Sequence, residues 1–374
     1  GVSVAAFHKA CRDQAKRWPH ALLATSTHDS KRSEDVRARI DVLSEMPAQW
    51  RLAVRRWSRL NRGKKTLLDG TAIPGRNDEY LLYQTLVGSW PSGDYVGERA
   101  EAYSERIVRY MLKAVREAKA DSSWINPNTV YENALENFVR TVLQPGPRNR
   151  FLDDLTAFQH TVAHFGALNS LGQTLLKLTA PGVPDIYQGN ESLRLALVDP
   201  DNRLPVDFAA LDRVLGELEN RFGHETKRDA LQNLLATMTD GRAKLYLTWR
   251  ALQLRREEAR LFEEGAYLTL DAQGEQAAHL CAFARVHQGR IVLVAVPRLC
   301  YRLLGGEIGL PLGKSAWGET MLALPPEWAE LRFRNVLGGD HVKAETGEGA
   351  VFLPAAKILG RFPVGLLTAE IKGA

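Results

Sequence analysis

The chain has 374 residues, 45% of them hydrophobic and 25% charged, with a formal net charge of +5. This length predicts more than one packed unit, and the balance excludes disordered, collagenous and disulfide-scaffold classes. No apolar stretch approaches the roughly 20 residues of a membrane span, and the basic residues are interspersed with acidic ones, as in Arg32-Ser33-Glu34-Asp35 and Arg255-Arg256-Glu257-Glu258, so neither a membrane nor a nucleic acid is expected as partner.

Residues 4–17 have helical composition, Pro19 breaks them, and the apolar run 20–24 reads as a short buried strand that ends in a polar cluster. Ser33 and Asp35 can cap a helix to about residue 44, with Val36, Ile40 and Leu43 on its apolar face. A helix over 47–60 follows, then a turn-rich stretch over 63–77 and a helix over 78–87. Residues 98–120 form a long amphipathic helix with Tyr103, Ile107, Tyr110, Met111, Ala114 and Ala118 on one side. Pro127 is expected in the first turn of a helix to about 143. Gln144-Pro145-Gly146-Pro147 ends it, and helices resume over 150–178.

A run of this length between two strand-like segments is too long for a loop and predicts an inserted helical subdomain. Residues 180–189 supply the second short strand, and helices are expected near 207–220, 226–238 and 241–258. From 266 onward apolar segments alternate with glycine turns. Segments 278–285 and 290–297, joined by Gln288-Gly289, predict a β-hairpin, and further strands near 330–336, 350–353 and 363–369 suggest an antiparallel sandwich. Cys11, Cys281 and Cys300 have neither metal spacing nor a disulfide pattern, and a reduced, buried state is expected. The start Gly1-Val2-Ser3 has no signal-peptide pattern and reads as a cut within a longer protein.

The most informative segment is Thr25-Ser26-Thr27-His28-Asp29-Ser30, where an apolar strand delivers polar side chains to its carboxyl end. That is where β/α barrels keep their chemistry. The His28-Asp29 pair resembles the His-Asp motif of the alpha-amylase family, and Ser30-Lys31-Arg32-Ser33-Glu34-Asp35-Val36-Arg37 resembles the maltooligosyltrehalose synthases within it. The resemblance continues in order through Asp78-Glu79-Tyr80-Leu81-Leu82-Tyr83-Gln84, residues 110–119, Ser123-Trp124-Ile125-Asn126-Pro127-Asn128, residues 181–189 and residues 197–207. It departs at Ser30, where Thr is usual, and at Asn190-Glu191-Ser192-Leu193-Arg194, usually Thr-Glu-Leu-Trp-Asp.

The resemblance implies the carboxy-terminal part of a longer enzyme: an α/β plus all-β chain holding the end of a (β/α)8 barrel with a large helical insertion, then an antiparallel β-sandwich. The implied divisions are 1–29 for the helix and seventh strand, 30–179 for the insertion, 180–260 for the eighth strand and its helices, and 261–374 for the sandwich. The implied activity converts the reducing-end α-1,4 linkage of a maltooligosaccharide to α,α-1,1, in the cytoplasm and without a cofactor. Asp29 would be the carboxylate that grips the ring hydroxyls of the distorting sugar, with His28 bonding the same ring. The nucleophile and acid are expected on earlier strands, so this chain alone is expected to be inactive.

Other candidate substrate contacts have ordinary alternatives. Lys31 and Arg32 either line the site of the departing glucose or oppose Glu34 and Asp35 as solvated charges. Tyr187 and Gln188 end the second strand and either meet substrate or pack the rim. Asp199, Asn202 and Arg203 form either a pocket wall or a turn closed by an Asp–Arg pair, and the segment lacks the pattern of a calcium loop. Arg37 and Arg39 read as surface or ion-pair residues, and Trp50, Trp57, Trp90 and Trp124 as core. Two rival readings are a hydrolase or other transglycosylase of the same clan, and a carbohydrate-binding fragment without catalysis.

Overall fold

The computed structural model describes residues 1–347 and 349–371. The chain divides into two compact units: Gly1–Thr27, Ala167–Arg194 and Pro205–Ala374 form one, and His28–Gly166 with Leu195–Leu204 the other.

The first unit opens with helix α1 (Val4–Arg17), whose cap Ser3 accepts the Ala6 amide proton. Strand β1 (Leu22–Leu23) has only two residues, and it pairs in parallel with β4 (Val183–Pro184). The amides of Val183 and Asp185 donate to the carbonyls of Ala21 and Leu23. Gly182 makes this pairing possible: its φ is +128°, and a Cβ there would stand 2.8 Å from the Ala21 carbonyl oxygen.

The second unit follows in sequence with α2 (Glu34–Val42), α3 (Pro47–Asn61), a small hairpin of β2 (Thr66–Leu68) and β3 (Thr71–Ile73), α4 (Arg76–Ser89), α5 (Gly97–Ala118), α6 (Thr129–Leu143) and the first half of α7 (Arg150–Thr179). The hairpin lies in the stretch expected to be turns alone; its strands have three residues each, too short for a period-two signal to register. Helix α6 starts at Thr129, so Pro127 lies before its first turn rather than in it, because Asn128 caps the helix by accepting the Tyr131 amide. The core of this unit is aromatic. Trp57 is fully buried, edge-on to Tyr83, Phe151 and Phe158, and its indole N–H donates to Asp154 at 2.7 Å.

The first unit resumes after β4 with α8 (Phe208–His224), α9 (Lys227–Ala236), α10 (Arg242–Glu257) and α11 (Ala259–Glu264). Two antiparallel sheets follow. The larger has the order β11-β10-β14-β8-β7-β5 and the smaller β12-β13-β9-β6. Their strands are β5 (Ala266–Leu270), β6 (Ala272–Gln273), β7 (Leu280–His287), β8 (Arg290–Pro297), β9 (Met321–Leu324), β10 (Arg332–Asn335), β11 (His341–Lys343), β12 (Glu345–Gly347), β13 (Ala350–Pro354) and β14 (Gly365–Glu370). The β7–β8 hairpin turns at Gln288 and Gly289, both with positive φ, as a two-residue hairpin loop requires.

Alternate residues of β7 and β8 (Leu280, Ala282, Ala284, Ile291, Leu293, Ala295) share one core with Leu322, Leu324, Val351 and Leu353 of the smaller sheet. The other face of β7 is buried too. There Arg285 donates to the carbonyls of Thr179, Phe262 and Gly265, so this buried cation ends on free carbonyls of α7 and α11. Desolvation pushes its pKa down to about 10, which leaves it charged.

Candidate functional site

Chain order alone brings His28 and Asp29 just after β1 and its polar tail. Their side chains meet, His28 Nε2 lying 3.2 Å from Asp29 Oδ2, and both are largely exposed. The next residues are tied down. The Arg32 backbone bridges to Leu197, and the Ser33 amide donates to the Ala196 carbonyl at 2.9 Å. Ser33 then caps α2, whose first turn carries Glu34 and Asp35 at the positive end of the helix dipole.

The expected charges find partners far from themselves in sequence. Lys31 pairs with Glu117 of α5 at 2.6 Å rather than with Glu34 or Asp35. Arg32 donates to Gln84 Oε1 at 2.7 Å and Thr85 Oγ1 at 3.0 Å, both on α4. Arg39, expected at the surface or in an ion pair, is 4% exposed and donates to the Trp90 carbonyl. Gly166 is the reason it fits: a Cβ there would stand 2.9 Å from the Arg39 Cα. Desolvation lowers the Arg39 pKa to about 10 and Asp35 opposes that shift.

The turn 195–204 belongs to the same unit as His28. Arg203 Nε lies 3.0 Å from Asp199 Oδ1, the closing pair that the turn reading expected. Asp201 is gripped twice, by Arg106 Nε at 2.8 Å and by the Leu197 amide at 2.7 Å. Arg106 also donates to the Leu195 carbonyl, and Lys113 to the Asp199 carbonyl at 2.7 Å. Asn202 is buried, and its amide donates to the His28 carbonyl at 2.7 Å. Arg106 and Lys113 read in sequence as the solvated face of an amphipathic helix. Their i, i+7 spacing on α5 is the one signal that they share a face.

An open cleft of about 540 Å³ is lined by Lys31, Arg32, Arg37, Asp41, Gln84 and Tyr110, over Ile40 and Leu81. Its donors are two guanidinium groups, an ammonium, an amide and a phenol, a set suited to neutral hydroxyl-rich ligands as well as to anions. Burial raises the Asp41 pKa against the pull of Arg37. Tyr110 also lines a small cavity of about 50 Å³ beside Arg106, Lys113 and Asp199.

Tyr187 and Gln188 fall in the other unit. Their carbonyls accept the Asn190 amide at 2.9 Å and the Arg194 guanidinium at 3.1 Å, closing a turn at Gly189. So His28, Asp29, Lys31, Arg32, Asp199, Asn202 and Arg203 are in the second unit, and Tyr187 and Gln188 in the first. Among the described residues no group of three or more His, Cys, Asp or Glu is arranged to hold a metal ion.

Of the four tryptophans expected in the core, Trp50, Trp57 and Trp90 are buried, but Trp124 is 57% exposed. It sits over the Arg116 guanidinium, 4.9 Å from the ring centroid, in the loop before α6. Arg116 is fixed by a bidentate pair with Glu132 at 2.8 and 2.6 Å, which holds the Glu132 pKa down to about 2. Core was expected because aromatics in helices are more often buried, but the residue lies outside any helix.

No family model matches the chain. Two curated relatives, each named "Putative maltooligosyl trehalose synthase", from Mycobacterium tuberculosis strains CDC 1551 / Oshkosh and ATCC 25618 / H37Rv, are 34% identical over 371 residues, 99% of this chain and 40% of each relative. Among solved structures, maltooligosyltrehalose synthase from Arthrobacter ramosus is 32% identical with a TM-score of 0.76, covering 99% of this chain and 41% of that one. A hypothetical maltooligosyl trehalose synthase of Sulfolobus tokodaii is 28% identical with a TM-score of 0.69, covering 98% and 41%.

Proposed function

Because the chain belongs to the family of maltooligosyltrehalose synthases and spans about 40% of the length of the curated relatives it matches, we propose that it is part of an enzyme that turns the reducing-end α-1,4 linkage of a maltooligosaccharide into α,α-1,1. The observation that carries this reading is the His28–Asp29 contact at 3.2 Å, on the segment that leaves a parallel strand. In this reading β1 and β4 are neighbouring strands of a (β/α)8 barrel, the helical unit is an insertion between them, and the two antiparallel sheets form a β-sandwich. Leu22 is 74% exposed and Val183 42%, whereas parallel sheets are buried on both faces, which supports further strands flanking this pair in the whole enzyme.

The chemistry then runs as in a retaining glycosidase. A carboxylate nucleophile attacks C1, an acid protonates the departing O4, and a reducing-end glucose is released. That glucose turns, and its own anomeric hydroxyl attacks C1 of the glycosyl-enzyme, freeing the carboxylate and giving its proton to the base. Asp29 would accept ring-hydroxyl hydrogen bonds that strengthen as the sugar becomes oxocarbenium-like, with His28 donating beside it. Lys31, Arg32, Tyr187, Gln188, Asp199 and Arg203 are the proposed substrate-pocket residues, with Asn202 buried in the turn that carries the last two. The nucleophile and acid are proposed to lie in sequence that the relatives have beyond the matched span, so the chain by itself would be inactive.

The helical unit would enclose the freed glucose and keep water from the intermediate. We assign the enzyme to the cytoplasm; Cys11 and Cys281 are buried free thiols, which fits a reducing compartment. Among the described residues no helix is long and apolar enough to cross a membrane. The test is product analysis with maltopentaose in the enzyme that carries this chain. Loss of reducing ends without equivalent release of glucose is expected. Accumulation of shorter reducing sugars alone would replace the reading with a hydrolase.

A further inference from the structure

The two side chains at the centre of this reading are mostly open to solvent, His28 at 56% and Asp29 at 83%. Little of this unit packs against them, so the main chain that carries them contributes to their position. That main chain is held on both sides. Downstream, Arg32 and Ser33 are bound to Leu197 and Ala196. Upstream of Asp29, the carbonyl of His28 accepts a 2.7 Å hydrogen bond from the Asn202 amide, and Asn202 is 4% exposed. Both anchors come from one turn, 195–204, and that turn is fixed from α5 through Arg106, which grips Asp201 at 2.8 Å and also reaches the Leu195 carbonyl.

We propose that Asn202 is a positioning residue for the His28–Asp29 pair: it acts by clamping the His28 main chain rather than by touching sugar, and Arg106 acts one step behind it through Asp201. The inference rests on reading Asp29 as the carboxylate that meets the sugar ring. A carbonyl accepts and cannot donate, so the clamp requires a donor at position 202. Asparagine supplies one at the right length. Aspartate, of nearly the same shape, supplies only acceptors and would face the carbonyl with a negative charge. Because geometric errors of about 1 Å at a reacting centre can cost about a hundredfold in rate, a main-chain clamp is enough to matter.

The experiment compares Asn202→Asp and Arg106→Met in the enzyme that carries this chain. Asn202→Asp is expected to lower kcat by about 10- to 100-fold with KM within about threefold of the parent. A raised KM with kcat intact would mean that Asn202 contacts the sugar, and would overturn the proposal. Arg106→Met should lower kcat with the same untouched KM but by less, and add nothing on top of Asn202→Asp, since both act along one chain of contacts. Additive losses would break the relay.

A second measurement does not depend on turnover. With 13C at histidine Cε1, the His28 resonance should move in both variants while those of the other eight histidines of this chain stay in place. If Asn202→Asp does not fold, Arg106→Lys keeps a cation for Asp201 and is expected to show a smaller His28 shift. An unmoved His28 signal would sink the clamp. A shifted signal in an enzyme that makes no α,α-1,1 product would instead sink the assigned activity and leave the clamp standing.

Discussion

The antiparallel sheets and the turn that carries Asn202 are stabilised by opposite means. In the sheets, Leu293, Ala295, Leu322 and Leu353 are completely buried, and the sequence repeats with the period of two that a sheet face imposes. The turn 195–204 owes its shape to Arg106, Lys113 and two aspartates, joined across roughly ninety residues of sequence. The first arrangement supplies stability. The second contributes little net free energy per pair, because partly exposed ion pairs are weak, but it fixes directions. Stability and aim are thus assigned to different residues, and mutations should separate them.

The sharpest separation comes at Asp29. Asp29→Asn preserves shape and removes the negative charge that, on the proposed reading, a flattening, positively polarised ring requires. In the enzyme carrying this chain kcat should fall by about a thousandfold or more, the scale of several kcal/mol at the transition state. The melting temperature should not change by more than a degree or two, since the substitution keeps the size and shape of the side chain. A retained kcat would remove Asp29 from the chemistry.

Leu293→Ala is the mirror image. It removes a fully buried side chain from the shared sheet core and should cost about 2–5 kcal/mol of stability by denaturant unfolding. The activity of the protein that remains folded should be unchanged. If kcat per folded molecule fell as far as stability did, the division between stability and aim would be wrong.

Next in size is an ion pair that combines both functions. The Arg116–Glu132 pair is mostly buried on the Glu side and supports the loop that carries Trp124. The Glu132 pKa, lowered to about 2, lies below its unfolded value, so the unfolded chain binds the extra proton first. The stabilisation is therefore present above pH 4.5 and lost as pH falls toward 2. Glu132→Gln should flatten that part of the stability–pH curve and cost roughly 1–3 kcal/mol at pH 7. An unaltered acid limb would show that the pair does not form in solution.

How much of this could be read in advance follows the same division. The β7–β8 hairpin, the cap at Ser33 and the helix over 98–120 were legible because each is written in contiguous residues: a two-residue positive-φ turn, a hydroxyl three residues before the amide it caps, a 3.6-residue apolar repeat. The His28-Asp29 segment stood out because a polar cluster ends an apolar run. The roles of Arg106, Lys113 and Glu117 were hidden. Each satisfies the amphipathic pattern of α5 as well as a plain surface residue would, and only the fold reveals that Lys31, Asp199 and Asp201 stand opposite. Arg39 was hidden for a related reason: a cation looks exposed until a glycine 127 positions away, Gly166, opens room to bury it.

The smallest expected effect tests whether position outside a helix counts for more than residue type. Trp57 and Trp124 have the same side chain and opposite surroundings. Trp57 is enclosed by four aromatic rings and bonded to Asp154, so Trp57→Ala should cost about 3–5 kcal/mol. Trp124 is 57% exposed and covers one guanidinium, so Trp124→Ala should stay within about 1 kcal/mol by denaturant unfolding. The loop does not depend on the indole: Ser122 bonds both Glu132 and the Asn128 amide, and Ser123 bonds the Asn126 amide. A cost for Trp124→Ala near that of Trp57→Ala would mean that the indole is buried in solution against a surface of the whole enzyme, and the helical unit would then be stabilised from outside as well as by its aromatic core.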